Sequence, residues 1–150
     1  MVHRPVIFLD FDGVLNCDQC RHFQTERMPE LCQHCIKQFN RIVATTGARI
    51  VISSAWRGLI TAGQMSMNGF RCLMRSHGIV DDVIGITPTE NYPETRADEI
   101  AAWLRDNPCT RYVVLDDDAE AGGSHPFVKT SAWVGLTEAG ADRAIALLTE

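Results

Sequence analysis

Two aspartates one residue apart, Asp10 and Asp12, are the residues whose types and spacing most clearly predict chemistry. They follow the apolar run Val6–Leu9 and precede Gly13, which places them at the end of a predicted buried strand. Carboxylates this close repel each other unless a cation or a shared proton relieves the repulsion. One of them can attack an electrophile while the other moves a proton, with a hard metal ion between them. The alternative is a tight turn at Asp12 and Gly13 without any catalytic role.

Polar side chains also follow two other predicted strands. Ser53 and Ser54 come directly after Ile50–Ile52, and the acidic triplet Asp116-Asp117-Asp118 comes directly after Tyr112–Leu115. In a parallel sheet covered by helices, functional sites lie at the carboxyl ends of the strands. The three strand ends are therefore expected to meet at one site.

Helical patterns alternate with the predicted strands, which indicates a parallel sheet with helices on both faces. Glycine, proline and capping residues mark where the helices begin and end. The predicted helices run from near Pro29 to Gly47, from about Thr61 to His77, from Thr95 to Asn107, and onward from Thr137; two further strands are predicted at Val83–Ile86 and Phe127–Lys129.

The composition is that of an ordinary globular protein. The 150 residues are 45% hydrophobic and 22% charged, and they predict one domain over residues 1–150. The net charge of −5 provides no global positive field that would attract nucleic acid. No apolar run approaches the ~20 residues that span a bilayer, and Asp10 and Asp12 interrupt the only apolar stretch that could serve as a signal peptide. We therefore expect a cytoplasmic protein without a membrane partner, and the composition leaves the oligomeric state open.

The chain resembles the haloacid dehalogenase-like (HAD) hydrolase superfamily in four motifs that occur in the expected order. These are Asp10–Leu15, the hydrophobic strand ending at Ser53, the basic residue Arg96, and the hydrophobic strand ending in Asp116 and Asp117. The resemblance implies a three-layer Rossmann-like α/β fold. It also implies a five-stranded parallel sheet of order 5-4-1-2-3, helices on both faces and a minimal cap.

A closer resemblance is to the small HAD domains associated with RNA repair proteins and phages. It is carried by the stretch from Gly47 to Arg57, by Leu115–Asp118, and by Gly135-Leu136-Thr137 ahead of the last helix.

The superfamily resemblance implies a Mg²⁺-dependent phosphatase that hydrolyses a phosphate monoester through a phospho-aspartate intermediate. Asp10 would attack phosphorus, and Asp12 would protonate the leaving oxygen and then activate water. Ser53 would hydrogen-bond a phosphoryl oxygen, and Arg96 would supply positive charge. These roles agree with the positioning and charge neutralisation that phosphoryl transfer demands.

The resemblance also implies the metal ligands. Mg²⁺ would be held by the Asp10 side chain, the Asp12 backbone carbonyl and an acid of the fourth motif. We favour Asp117 for this third ligand, with Asp116 in support, although the sequence does not separate the two. Ser54 and Arg57 are candidates for substrate binding; the alternatives are a helix cap for Ser54 and a surface position for Arg57.

The insert between the first two motifs covers only residues 14–48 and leaves room for a small flap within residues 14–30. A site without a large cap can admit a phosphate on a bulky substrate. A nucleotide or a nucleic acid end is therefore the expected partner, with a phosphoprotein as another option. The sequence does not distinguish a phosphatase from a phosphotransferase.

Two C-x-x-C pairs, Cys17 with Cys20 and Cys32 with Cys35, could form a structural zinc site, because four thiolates at such spacing can bind zinc tetrahedrally. The alternative is that they are ordinary thiols, with Cys35 in the core. Cys72 and Cys109 are interpreted as packing residues.

Two rival classes remain. A signalling receiver domain also has five parallel strands and clustered acids, but here the third strand ends in Gly85-Ile86-Thr87 without an acid. A non-catalytic, zinc-stabilised binding module on a HAD-like fold is the second rival, since fold alone does not establish activity.

Overall fold

The computed structural model describes residues 4–21, 31–80, 83–88 and 95–149. Its sheet has five parallel strands in the order β3-β2-β1-β4-β5. Counted from the other edge, this is the predicted order 5-4-1-2-3, which is confirmed. The strands are β1 Val6–Leu9, β2 Arg49–Ile52, β3 Val83–Ile86, β4 Tyr112–Asp116 and β5 Phe127–Lys129.

Helices cover both faces of the sheet. They are α1 Asp18–Arg21, α2 Gln33–Thr46, α3 Gly58–Thr61, α4 Met67–Ser76, α5 Arg96–Asp106 and α6 Glu138–Thr149. Buried residues of α2, α4 and α6 form one apolar cluster with one face of the sheet, and those of α5 form a second cluster with the other face.

Alternation along β1 explains why both clusters form. Ile7 and Leu9 belong to the cluster with α2 and α6, whereas Val6 and Phe8 belong to the cluster with α5. All four side chains are fully buried, as expected for a central parallel strand. The rings of Phe8 and Trp103 pack edge to face, with their centroids 5.4 Å apart. The central strand is thus fixed from both sides just before Asp10.

Two of the predicted helix ends show the expected caps, and two predicted helices are wrong in part. The Thr95 hydroxyl accepts a hydrogen bond from the Asp98 amide at 3.1 Å, as predicted. Gly47 ends α2 in the left-handed region, with φ 70°. The predicted helix from Thr61 to His77 is wrong in its first part, because α3 ends at Thr61 and α4 begins only after Ser66.

The break has a local cause. Gly63 adopts a φ of 73°, which a continuing helix does not allow. The Ser66 hydroxyl then accepts a hydrogen bond from the Gly69 amide at 3.0 Å and caps α4. The predicted helix start near Pro29 is too early, because the N-cap residue Cys32 is extended and α2 begins at Gln33. Most of the predicted flap, residues 22–30, lies outside the described residues. Among the described residues, no helix has both the length and the apolar character needed to cross a membrane.

Candidate active site

The carboxyl ends of β1, β2 and β4 bring the predicted chemistry together. Leu9 is in register with Ile52 on one side and with Leu115 on the other. The ladder continues one residue further, because the Asp10 amide donates to the Leu115 carbonyl at 3.1 Å and the Ser53 amide donates to the Leu9 carbonyl at 2.9 Å. Asp10, Ser53 and Asp116 therefore lie side by side at one edge of the sheet.

Arg96 approaches this edge from the first residue of α5. Its guanidinium lies 3.5 Å from an Asp10 carboxylate oxygen and 3.8 Å from an Asp116 carboxylate oxygen. The same group donates a hydrogen bond to the Ser53 carbonyl. The start of α5, capped by Thr95, thus places the guanidinium of Arg96 beside Asp10, the predicted nucleophile.

Three carboxylates converge beside Arg96. Oxygens of Asp10, Asp116 and Asp117 all lie within 4.8 Å of one another. Burial, followed by repulsion from Asp116, raises the pKa of Asp10 to about 8, against the opposing effect of Arg96. Burial also raises the pKa of Asp116 to about 6, although the Asp118 amide and Arg96 oppose this. One guanidinium does not offset three clustered acids, so a further cation or a bound proton is required.

We expect the metal-free protein to lose stability as the pH rises from about 4 towards 8. Between the ordinary pKa of 3.8 and the folded pKa of about 8, folded Asp10 retains a proton that the unfolded chain has released. Raising the pH therefore favours unfolding in this window, and the contribution of Asp10 to the free energy of unfolding is largest at low pH. Urea unfolding in Mg²⁺-free buffer at pH 5, 6, 7 and 8 measures the slope.

The matched variant for this measurement is Asp10→Asn, which removes the titrating group and should flatten the slope. Added Mg²⁺ should raise the stability of the wild-type protein most at pH 8, where Asp10 is most readily ionised. Equal slopes in the two proteins would show that Asp10 is not the group responsible.

Asp12 lies apart from the three clustered acids. One of its carboxylate oxygens accepts hydrogen bonds from the Asn16 amide at 2.8 Å and from the Trp56 indole at 3.3 Å. Asn16 in turn accepts a hydrogen bond from the Gly13 amide at 3.0 Å. A carboxylate fixed on a turn beside the nucleophile is suited to proton transfer. The motif spacing identified neither Asn16 nor Trp56 as a partner of Asp12.

Gly13 allows the turn to pass close to Asp117. Its φ is +82°, and a Cβ at this position would lie 2.4 Å from an Asp117 carboxylate oxygen. The Thr130 hydroxyl donates to the Gly13 carbonyl at 2.6 Å, and the Thr130 amide donates to the Asp116 carbonyl at 2.9 Å. The first and fourth motifs are thus packed against each other, and any larger residue at position 13 would displace Asp117.

The remaining predicted residues differ in their surroundings. The Ser53 hydroxyl is buried and has no hydrogen-bond partner among the described residues, so it is available to a ligand oxygen. The Ser54 hydroxyl accepts a hydrogen bond from the Trp56 amide at 3.2 Å, which is a capping contact. A substrate contact for Ser54 stays a prediction.

Arg57 is 7% exposed, so the alternative of a surface position is wrong. It forms an ion pair with Glu99 and donates to the Thr87 hydroxyl at 2.6 Å. Burial lowers its pKa, and Glu99 opposes this effect. Glu99 lies three residues after Arg96 on α5, a helical spacing that could have indicated its place at the site. A phosphate contact for Arg57 stays a prediction.

An open cleft of about 330 Å³ lies in front of Asp10 and Arg96. Arg96 is the basic side chain that lines it, against six acidic ones within the described residues: Asp10, Glu99, Asp116, Asp117, Asp118 and Glu120. A dianionic phosphate would be repelled from such a cleft unless a cation neutralised the acids. The clustered carboxylate oxygens of Asp10, Asp116 and Asp117 fit Mg²⁺, which prefers oxygen ligands and retains several waters.

The cysteine pairs lie in a separate cluster near the start of α2. The sulfurs of Cys17 and Cys32 are 3.4 Å apart, and Cys35 is fully buried beside them. Cys32 is disulfide-bonded. The Cys20 side chain lies outside the described residues, so the predicted set of four cysteines is described only in part.

Two other cysteines were interpreted as packing residues. For Cys72 this interpretation is wrong, because its side chain is exposed on α4. Cys109 is partly buried.

One family model matches residues 6–141, and its description is "HAD domain in Swiss Army Knife RNA repair proteins". The matched segment includes the ends of β1, β2 and β4 and the start of α5, which carry the residues of the site. Neither a curated protein nor a solved structure matches the chain.

Proposed function

Because the chain belongs to the family of HAD domains found in Swiss Army Knife RNA repair proteins, and so to the HAD-like hydrolases, we propose that it is a Mg²⁺-dependent phosphatase. It hydrolyses a phosphate monoester through a phospho-aspartate at Asp10. The observation that carries the proposal is the convergence of the Asp10, Asp116 and Asp117 carboxylates within 4.8 Å of one another, at the mouth of an open cleft.

Asp10 is the nucleophile of the proposal. Its carboxylate lies beside Arg96 at 3.5 Å, which holds the attacking oxygen and offers a positive charge to the incoming phosphoryl group. The raised pKa of Asp10, about 8, means that the carboxylate must lose its proton before it attacks. A magnesium ion held by Asp10, Asp117 and the Asp12 backbone carbonyl, with Asp116 in support, would supply the charge neutralisation that keeps Asp10 ionised.

Asp12 transfers the protons. It protonates the leaving oxygen when the P–O bond breaks, and it then removes a proton from the water that hydrolyses the phospho-aspartate. Asn16 and Trp56 fix the orientation of its carboxylate. Ser53 donates its buried hydroxyl to a phosphoryl oxygen, which would satisfy the hydrogen bond that it lacks among the described residues.

For the substrate we propose a terminal phosphate on a nucleotide or a nucleic acid end. The family description, which refers to RNA repair proteins, and the openness of the cleft support this class. The acidic rim formed by the exposed Asp118 and Glu120 disfavours close approach of a long polyanion. A single end phosphate, held by Arg96 and a cation, fits this charge pattern better than an internal phosphodiester.

The test is a Mg²⁺-dependent screen of phosphate release from nucleotides, sugar phosphates, phosphopeptides and oligonucleotides with a 3′- or 5′-phosphate. We expect an oligonucleotide end or a nucleotide to be hydrolysed, with a hydroxyl end as the product. The matched substrate control is the same oligonucleotide without the terminal phosphate, and the matched enzyme control is Asp10→Asn. If no phosphate ester on the panel is hydrolysed, the non-catalytic binding module replaces this proposal.

A further inference from the structure

A second group of metal-ligating side chains lies at the start of α2, outside the acidic cleft. Cys17 Sγ, His34 Nε2 and Cys35 Sγ are within 4.8 Å of one another, and Cys32 Sγ is 3.4 Å from Cys17 Sγ. The three cysteines are buried, whereas His34 is exposed. We propose that the reduced protein binds one structural zinc ion through Cys17, Cys32, Cys35 and His34.

The distances fit a tetrahedral ion. Zn–S bonds of about 2.3 Å and Zn–N bonds of about 2.0–2.1 Å place ligand sulfurs roughly 3.8 Å apart, and a sulfur and a nitrogen roughly 3.6 Å apart. The corresponding distances are 3.4 Å between Cys17 and Cys32 and 3.3 Å between Cys35 and His34. Both distances are shorter than those in a tetrahedral zinc site by only a few tenths of an ångström.

The backbone around the cluster leaves room for these sulfurs. Gly135 has a φ of +71°, and a Cβ at this position would lie 2.6 Å from Cys35 Sγ. The neighbouring Val134 carbonyl lies 3.7 Å from Cys35 Sγ and 3.1 Å from His34 Nε2. The turn that carries Gly135 is thus shaped around the side chains of residues 34 and 35.

A zinc ion here would join two segments that already contact each other, and the first of them also contacts the turn at Ala132. The Cys32 amide donates to the Leu15 carbonyl at 2.7 Å, and the Asp18 amide donates to the Ala132 carbonyl at 2.8 Å. Cys17 directly follows Asn16, which holds the Asp12 carboxylate. The ion would therefore fix the segment that positions the proton-transfer residue, and its binding energy would add to the free energy of unfolding.

The disulfide at Cys32 and a zinc–thiolate bond at Cys32 exclude each other, because a zinc ligand must be a thiolate. The proposal therefore concerns the reduced protein, and its test uses a phosphine reductant, which leaves zinc in place.

The test measures zinc per protein chain by mass spectrometry after purification of the whole protein without added zinc or chelator. We expect about one equivalent in the wild-type protein and less than about a tenth of an equivalent in Cys17→Ser and Cys35→Ser. The matched control is Cys72→Ser, which changes an exposed cysteine and should keep the zinc. A wild-type protein with less than about a tenth of an equivalent overturns the proposal.

A second measurement covers the case in which the cysteine variants do not fold. A mercurial thiol reagent is titrated into the folded wild-type protein, and the zinc released is followed with a chromogenic indicator. We expect zinc release in proportion to the thiols modified, and modification without release contradicts the site.

The ligand set itself is tested by His34→Ala against Cys20→Ser. We expect His34→Ala to weaken zinc retention at least about tenfold and Cys20→Ser to leave it unchanged. Loss of zinc in Cys20→Ser but not in His34→Ala overturns the assignment of His34.

Discussion

Replacing Asp10 by asparagine is expected to reduce the hydrolysis of an aryl phosphate by at least about three orders of magnitude. An amide oxygen is a poor nucleophile for phosphorus, and the Asp10 carboxylate is the nearer of the two that Arg96 contacts, at 3.5 Å against 3.8 Å for Asp116. The side chain keeps its shape, and the change removes a buried acid that is costly to ionise, so the variant should fold at least as well as the wild-type protein. The measurement is kcat/KM for p-nitrophenyl phosphate at saturating Mg²⁺.

The matched control is Asp106→Asn, which makes the same change at an exposed position at the end of α5. It should leave the rate within about twofold of wild type. An acid-quenched reaction should also trap a phosphorylated protein with wild-type Asp10 and none with Asp10→Asn. A rate near that of the wild type in Asp10→Asn would reject Asp10 as the nucleophile.

The sequence was sufficient to predict the strands and the edge where the site forms. Val6–Leu9 and Val83–Ile86 were predicted with the bounds that the structure has, because buried parallel strands are short apolar runs between turn residues. The convergence of Asp10, Ser53 and Asp116 followed from the strand-end rule for parallel sheets. The order of the strands, by contrast, came from the family resemblance, since local patterns do not specify which strands are neighbours.

The residues that sequence reasoning missed act through contacts between distant segments. Trp56 reaches Asp12 across 44 positions, and Arg57, which was itself predicted at the site, contacts Thr87 across 30. No local period contains such pairs, so the sequence did not identify these contacts. No role for His34 followed from the sequence, because its proximity to Cys17 becomes visible only when the 14–18 segment folds back on α2.

The broken helix between Thr61 and Ser66 shows the limit of periodicity in a different way. Apolar residues on both sides of the break keep the helical spacing and face the same cluster, as Ile60 and Met67 do at seven residues apart. Gly63 and Ser66 carried the contrary signal, because a glycine tolerates a left-handed φ and a serine caps a new helix. Local stop and start residues should therefore have outweighed the continuous apolar stripe.

Replacing Asp117 by asparagine is expected to raise the Mg²⁺ concentration for half-maximal activity at least about tenfold. Asp117 is partly exposed, whereas Asp116 is buried. The Asp116 carboxylate already accepts a hydrogen bond from the Asp118 amide at 2.9 Å. A neutral amide at position 117 would leave the ion one charged ligand fewer, whereas the nucleophile and the proton-transfer residue would stay in place. The measurement is a Mg²⁺ titration of aryl phosphate hydrolysis.

Two further variants make this result specific. Asp118→Asn removes a neighbouring acid of the same cleft and should change the titration less than about twofold, because Asp118 is exposed and caps a short turn. Gly13→Ala should shift the titration in the same direction as Asp117→Asn, since the added Cβ would lie 2.4 Å from an Asp117 oxygen. If Asp117→Asn left the Mg²⁺ titration unchanged, Asp116 would be the metal ligand instead. Asp116→Asn would then have to show the larger shift.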